Sequence, residues 1–301
     1  MANDRADFEP EVRNSAWWSG DSRKAANGRG NDVILEKLGL KERPDLSQVE
    51  AVQMGHVMQP VIGRLAQERL RINLKDADYM LSHPKETWLK SHFDFISEDG
   101  KTLVEAKNYN AAVRNKFDVE SLIVPHADLA QCIHEAACHN VDRVVLAVLF
   151  GGQNFEVFDF QISPEQKEQL IKDMSQLWAR VQLGQPLEAE TTEQAKLMYA
   201  KDNGTYVTAN HQIERAASML KMCQSNIKSL EEQEEHLKTA LQGFMRDSSE
   251  LVSVDGKVLA TWKSSKGSKK FDAKLFQQAM PDIYEQFVVE TTGSRRFLIK
   301  G

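Results

Sequence analysis

The stretch Trp88–Asn108, WLKSHFDFISEDGKTLVEAKN, decides the fold of this chain. Apolar and polar residues alternate on both sides of Asp99-Gly100, and Asp-Gly between two alternating runs is a strong hairpin signal. With Asp99 and Gly100 as the two loop residues, Ile96 faces Leu103 across the hairpin. The sequence therefore predicts two antiparallel strands in a defined register.

The same register places three charged side chains together. Asp94 faces Glu105, and directly opposed residues have Cβ atoms roughly 5 Å apart on one face, where like charges repel. Lys107 lies two residues beyond Glu105 and shares that face. Two carboxylates and an ammonium on one strand pair form an arrangement that a divalent cation would stabilise.

Composition indicates an ordinary globular protein in a reducing compartment. The chain has 301 residues, of which 41% are hydrophobic and 27% charged, with a net charge of −6. No run is long enough for a membrane span, and the charged N-terminus lacks a signal-peptide core. Cys132, Cys138 and Cys223 form no CxxC pair, so a cytoplasmic location is expected. The net negative charge argues mildly against a protein whose whole surface binds nucleic acid, but leaves room for a local basic groove.

Before and after the hairpin the chain alternates between helical and strand patterns. Asn31–Leu40 predicts a short helix ended by Gly39, and a longer helical region leads to Leu70 with Pro60 as a kink or a new start. Downstream, the patterns predict a helix at 127–139, a buried strand at 141–150, an alternating strand at 155–161 and a helix at 164–183. The fold class is therefore α/β with a mixed central sheet flanked by helices.

The C-terminal third has a different pattern. Residues 184–210 resemble a connector, and 211–246 predict a long amphipathic or coiled-coil helix. Its heptad residues are Ile213, Ala216, Leu220, Cys223, Ile227, Leu230, Leu237, Leu241 and Phe244, interrupted by Glu234. Residues 247–301 predict a small basic tail with a hairpin around Asp255-Gly256, to which Phe297–Ile299 would add a third strand.

Other candidate groups have ordinary alternatives. Trp17-Trp18 indicates a hydrophobic lid on the core more than a platform for bases. Arg13, Ser22 and Arg23 are candidate DNA-phosphate contacts, although exposed side chains of this kind are common. The residues Cys132, His134, Cys138 and His139 lack the second ligand pair of a zinc site.

The Asp94, Glu105-x-Lys107 pattern resembles the core of the PD-(D/E)XK nuclease superfamily. Neighbouring motifs extend the likeness to the phage-type exonuclease family that includes lambda exonuclease and the YqaJ viral recombinases, over roughly residues 15–180. Gly55-x3-Gln59-Pro60 resembles the family's Gly-x3-Glu-Pro. Ala130-Gln131 and His134 resemble a helix motif, and LFGGQNF resembles the turn after the central strand. The predicted nuclease domain is 1–183.

This resemblance implies a metal-dependent 5′→3′ exonuclease on double-stranded DNA ends. Asp94, Glu105, the Ala106 carbonyl and Gln59 would hold Mg²⁺, with Mn²⁺ as a substitute. Lys107 would orient or deprotonate the attacking water, and Gln131 would orient that water or the scissile phosphate. Family members form ring-shaped trimers and work with a single-strand annealing protein in phage recombination, which implies a phage or prophage gene in a bacterial host.

Two departures from the family pattern keep alternatives open. Gln59 stands where the family has Glu, which removes one anionic ligand, and Ile133 replaces the second glutamine of the helix motif. One alternative is a PD-(D/E)XK endonuclease of the restriction or repair type. The other is a DNA-binding or assembly protein whose site has weakened.

Overall fold

The computed structural model describes residues 10–77, 80–289 and 293–300, and the chain divides into two compact units, Met1–Tyr199 and Ala200–Gly301. In the described part of the first unit the α-helices are α1 (Pro10–Asn14), α2 (Ser19–Lys24), α3 (Gly30–Lys37), α4 (Glu50–Leu70), α5 (His126–His139), α6 (Pro164–Gln182) and α7 (Thr192–Met198), with a π-helix at Ala25–Arg29 and a 3-10 helix at Ala111–Lys116. The strands are β1 (Trp17–Trp18), β2 (Leu74–Asp76), β3 (Leu81–Ser82), β4 (Leu89–Ser91), β5 (Phe95–Ser97), β6 (Thr102–Tyr109), β7 (Arg143–Phe150) and β8 (Asn154–Gln161).

A mixed five-stranded sheet forms the centre of the first unit. Its strand order is β2-β5-β6-β7-β8, with β6 and β7 parallel and the other neighbours antiparallel. The helix α5 connects the two parallel strands, as such a crossover requires. The predicted α/β class with a mixed central sheet is confirmed.

From Val144 onward the strand β7 is apolar, because both faces of the sheet are covered. Alternate residues such as Val144 and Leu146 pack in the cluster on the α5 side. The intervening residues, such as Val145, pack with Ile62 and Ala66 of α4 on the opposite side. This alternation places Glu105 and Lys107 of β6 towards α5, because Leu103, two residues before Glu105, belongs to the α5-side cluster.

The hairpin register predicted from Asp99-Gly100 is confirmed. Ile96 pairs with Leu103, and Phe95 pairs with Val104. Gly100 has a φ of 71°, in the left-handed region that a tight turn demands and glycine adopts at no steric cost. One residue of slip would have moved every side chain of β6 to the other face.

Most other predicted elements of the first unit are confirmed within about three residues. Ser163 caps α6, accepting a hydrogen bond from the Gln166 amide at 3.3 Å while the Gln166 side chain accepts from the Ser163 amide at 2.8 Å. Pro60 lies inside α4, which is a single helix from Glu50 to Leu70 and does not begin again there.

The paired tryptophans form part of the core. Trp17 and Trp18 are 0% and 1% exposed, and their short strand β1 pairs with β4 in a second, three-stranded sheet with β3. The hydrophobic-lid interpretation is confirmed, since buried rings offer no face to a base.

Part of the predicted connector contacts the first unit. The Leu187 amide donates to the Asn31 Oδ1 at 2.9 Å. The buried Gln194 of α7 accepts from the Asn31 Nδ2 at 3.0 Å and donates to the Asp32 Oδ1 at 3.2 Å. The predicted domain limits at 183, 210 and 246 stay predictions.

The second unit contains the long helix α8 (His211–Met245), the strands β9 (Glu250–Val252) and β10 (Val258–Thr261), and the helices α9 (Ala273–Ala279) and α10 (Pro281–Glu285). The predicted hairpin is present, because β9 and β10 pair antiparallel. The predicted third strand at 297–299 is wrong: the described residues 293–300 contain no strand. Among the described helices, none combines the length and the apolar character needed to cross a bilayer.

Candidate active site

The site lies where Asp94, just before β5, meets the central strand β6. The strand β6 is hydrogen-bonded to β5 on one side and β7 on the other, so its backbone is held along its length. The Asp94 Oδ2 accepts a hydrogen bond from the Ala106 amide at 2.8 Å. This bond places the Asp94 carboxylate beside Glu105, as the hairpin register requires.

Asp94 is half-buried, between Gln59 of α4 and the strand β6. Its Oδ1 accepts from the Gln59 Nε2 of α4 at 2.8 Å. Burial and the nearby Glu105 charge raise the pKa of Asp94 to about 8, although Lys107 and the Ala106 amide act in the opposite direction. Without a cation, this carboxyl group therefore retains its proton near neutral pH.

Glu105 accepts two hydrogen bonds on one oxygen. Lys107 Nζ and Gln131 Nε2 each lie 2.6 Å from the Glu105 Oε1. Burial lowers the pKa of Lys107, but the charges of Glu105 and Asp94 outweigh burial and raise it above its usual value. Lys107 is therefore a permanent ammonium group in this arrangement.

Gln131 connects Glu105 to a third acid that the motif comparison missed. Gln131 Nε2 also donates to the Glu135 Oε1 at 2.9 Å, and Glu135 is fully buried. Burial and the Glu105 charge raise the pKa of Glu135. Among the residues that the structure describes, the Gln131 Oε1 and the Glu135 Oε2 have no hydrogen-bond partner. Glu135 follows Gln131 by four residues, so the sequence already placed both on one face of α5. A glutamate on a helix is usually exposed, however, and nothing in the sequence indicated that this one is buried.

A second polar cluster lies around Tyr109, two residues after Lys107 on β6. The Tyr109 hydroxyl donates to the Asp128 Oδ1 at 2.8 Å, and Arg23 contacts both groups through Nη2 at 2.9 Å and Nε at 2.8 Å. Residues two apart on a strand share a face and lie about 7 Å apart. Tyr109 therefore shares a face of β6 with Lys107, and Arg23, which is hydrogen-bonded to Tyr109, lies on the same side as the carboxylates. The Arg23 side chain is 40% exposed.

The other two predicted DNA contacts are engaged elsewhere. Ser22 is fully buried; its Oγ lies 2.8 Å from the His134 Nδ1 and accepts from the Trp17 Nε1 at 3.1 Å. This position does not expose the hydroxyl to a ligand. The Arg13 guanidinium lies 4.7 Å from the ring centroid of Trp18.

Comparison with solved structures finds chains of similar fold. The fold is similar to an alkaline exonuclease from Laribacter hongkongensis, with 11% identity over 58% of this chain and 93% of that chain, at a TM-score of 0.49. It is also similar to a phage-related exonuclease from Haemophilus somnus 129PT, with 11% identity over 56% and 94% of the two chains and a TM-score of 0.41. A putative exonuclease from Eubacterium rectale gives 8% identity, 71% and 97% coverage and a TM-score of 0.44.

No protein-family model and no curated protein matches the sequence. At these identities and TM-scores, the assignment of function rests on the side chains of the site.

The donor set of the site fits a hard divalent cation. Asp94 and Glu105 supply carboxylate oxygens and Gln59 carries an amide oxygen, and burial together with the Glu105 charge raises the pKa of Asp94, a cost that a bound cation would relieve. In the described ranges, no three Asp, Glu, His or Cys side chains are grouped to hold an ion by themselves. An ion at Asp94 and Glu105 would take its remaining ligands from the Gln59 amide oxygen, the Ala106 carbonyl and water, as Mg²⁺ commonly does.

Proposed function

We propose that this chain is a metal-dependent deoxyribonuclease that degrades double-stranded DNA from its 5′ ends. The observation that carries this proposal is the half-buried Asp94 beside the buried Glu105, with Lys107 Nζ on the same strand face 2.6 Å from the Glu105 Oε1. Two carboxyl groups placed side by side away from water cost stability, because they either repel each other or one of them must take up a proton. A role in holding a cation accounts for their position.

Asp94 and Glu105, with the Ala106 carbonyl and Gln59, would hold Mg²⁺ or Mn²⁺. Such an ion lowers the pKa of a bound water and stabilises charge on the scissile phosphate. The present Gln59 orientation directs its amide nitrogen at Asp94. Rotation of the amide would direct the oxygen instead, since amide orientation is set by the hydrogen-bond network around it.

Lys107 contributes a fixed positive charge in this proposal. Its raised pKa favours a donor that orients water and offsets charge on the phosphate oxygens, over a base that removes a proton. Gln131 is a positioning residue, because it holds the Glu105 carboxylate and is itself held by Glu135. Together these groups restrict Glu105 to one orientation.

Arg23 supports a nucleic-acid substrate. A guanidinium binds phosphate oxygens in a planar, charge-assisted geometry. Tyr109 and Asp128 hold this group on the site side of β6 while leaving it 40% exposed. A DNA phosphate next to the scissile one would therefore meet Arg23.

The remaining parts of the proposal follow the family resemblance. They are attack from the 5′ end, assembly as a trimeric ring around DNA, and cooperation with a single-strand annealing protein in recombination. The protein would act in the cytoplasm of a bacterial host as the product of a phage or prophage gene.

Digestion of linear and covalently closed duplex DNA tests the proposed activity. We expect Mg²⁺-dependent loss of linear DNA, no cleavage of closed circles, and early release of a 5′ label but not a 3′ label. Cleavage of the circles would favour the endonuclease alternative. Early release of the 3′ label would overturn the polarity.

Variants of the site assign the activity to these residues. Asp94→Ala and Glu105→Ala are expected to abolish digestion while retaining the circular dichroism spectrum of the parent. Glu168→Gln, which changes an exposed acid on α6, is the matched control and should digest DNA normally. Absence of Mg²⁺ and Mn²⁺ binding by calorimetry in the parent protein would favour a non-catalytic DNA-binding role.

A further inference from the structure

The helix α8 exposes a long apolar seam. Its seven large apolar heptad residues are between 38% and 79% exposed, and they are Ile213, Leu220, Ile227, Leu230, Leu237, Leu241 and Phe244. Ala216 and Cys223 on the same seam are exposed as well. Among the described residues of the second unit, none covers this seam. Apolar patches of this extent mark interaction sites, and helices gain most of their stability by packing such a face.

Charge is unevenly distributed along α8. The half from His211 to Lys228 contains three bases and one acid, whereas the half from Ser229 to Met245 contains four acids and one base. A second copy of α8 in the opposite direction would set each positive half against a negative half. Such a pair would also place each helix N-terminus beside its partner's C-terminus, where the helix dipoles attract.

The seam matches itself in that direction. Its ten positions, including Glu234, are symmetric about the midpoint between Lys228 and Ser229. In antiparallel register the layers are Ile213 with Phe244, Ala216 with Leu241, Leu220 with Leu237, Cys223 with Glu234, and Ile227 with Leu230. The two outermost layers at each end therefore pair a smaller side chain with a larger one, and every seam position faces a seam position of the other copy.

The position of Glu234 argues against a parallel pair. In parallel register Glu234 would face its own copy in the seam, and two like charges would be buried together. In antiparallel register it faces the small Cys223, and Lys238 on its own helix neutralises it, with Nζ 2.6 Å from the Glu234 Oε1. Parallel register would also set the two positive halves against each other.

We infer that α8 is a homotypic interaction surface, through which two copies of this chain associate by an antiparallel coiled coil centred between Lys228 and Ser229. The supporting observations lie entirely within the second unit. The inference therefore does not depend on the proposed nuclease function.

Oxidative cross-linking of the full chain tests the register. Cys223 is exposed, whereas Cys132 and Cys138 are buried, so only Cys223 reacts in the parent protein. In the antiparallel pair the two copies of Cys223 are offset by eleven residues, or about 16 Å along the helix. A disulfide needs Cα atoms within roughly 7 Å. Mild oxidation should therefore leave the parent uncross-linked.

Glu234→Cys should form a covalent dimer on oxidation, because each introduced thiol would face Cys223 of the other copy. The matched control is the double variant Glu234→Cys with Cys223→Ser, which should lose this dimer. Cross-linking of the parent would show a parallel pair, and failure of Glu234→Cys to cross-link would show a different occupant. Either outcome overturns the inference.

A measurement without cross-linking covers the case in which the cysteine variants disturb the seam. Leu230→Asp replaces an exposed seam residue at the central layer and should halve the mass of the assembly in sedimentation. The nuclease activity is not part of this readout. An unchanged mass would overturn the inference.

Discussion

Gly63 of α4 controls how closely that helix approaches the sheet beside the site. A Cβ atom at Gly63 would lie 2.5 Å from the Phe95 Cζ and 2.7 Å from its Cε1. The Phe95 ring is 5% exposed and packed among Val104 and Val145, so it has little room to move. Gly63→Ala must therefore push α4 away from the sheet.

The expected cost follows from overpacking. Forcing an additional carbon into a packed core costs roughly 1–3 kcal/mol. The higher helix propensity of Ala offsets about 1 kcal/mol of this cost. Gly55→Ala is the matched control on the same helix, because nothing lies within 4 Å of its added Cβ. The control should therefore gain stability, and the two variants should differ by roughly 1–3 kcal/mol.

Urea denaturation followed by circular dichroism compares the two variants with the parent. The same displacement should reach the site, because Gln59 lies one helical turn before Gly63 and contacts Asp94 at 2.8 Å. Gly63→Ala should therefore also raise the Mg²⁺ concentration needed for half-maximal digestion. A stability gain equal to that of Gly55→Ala would refute the close approach of α4 to Phe95.

Three further predictions concern charge, ligation and domain limits. Asp94→Asn should raise the free energy of unfolding in EDTA more at pH 7 than at pH 4, because the neutral side chain removes the cost of the carboxyl group that the fold keeps protonated. The pKa of Asp94 is raised to about 8 in the folded protein, so the parent loses stability as the pH rises from about 4 to 8. An equal increase in the free energy of unfolding at both pH values in urea titrations would contradict this. Gln59→Glu should lower the half-maximal Mg²⁺ concentration for digestion and Gln59→Ala should raise it, whereas two unchanged midpoints would exclude a ligand role. A chain ending at 204 should melt at a higher temperature than one ending at 183, because only the longer chain retains Gln194 beside Asn31; equal melting temperatures would show that α7 adds nothing.

Local sequence signals predicted the parts of the site that lie on one hairpin. Asp99-Gly100 and the alternation around it specify a register, and the register alone brings Asp94 opposite Glu105. Lys107 follows from the two-residue period of a strand. These inferences need only short-range geometry, which the structure confirms through the Ile96–Leu103 pairing.

The contacts that reach the hairpin from other elements were less predictable. The motif comparison singled out Gln59 and Gln131, but only the packing of α4 and α5 on the sheet shows that they bond Asp94 and Glu105. Ser22 resembled a surface phosphate contact and is instead buried against His134. In the tail, the predicted strand at 297–299 is absent, because an apolar run becomes a strand only where a sheet edge accepts it.

The sequence by itself determined the α/β class, the hairpin and the alignment of two acids and a lysine, since these depend on periodicity and turn chemistry within about twenty residues. Tertiary structure alone decided the burial of Glu135 and the position of Arg23 beside Tyr109 and Asp128. It also decided the raised pKa of Asp94. Desolvation and charge coupling depend on what packs around a group, and residues distant in sequence supply that environment.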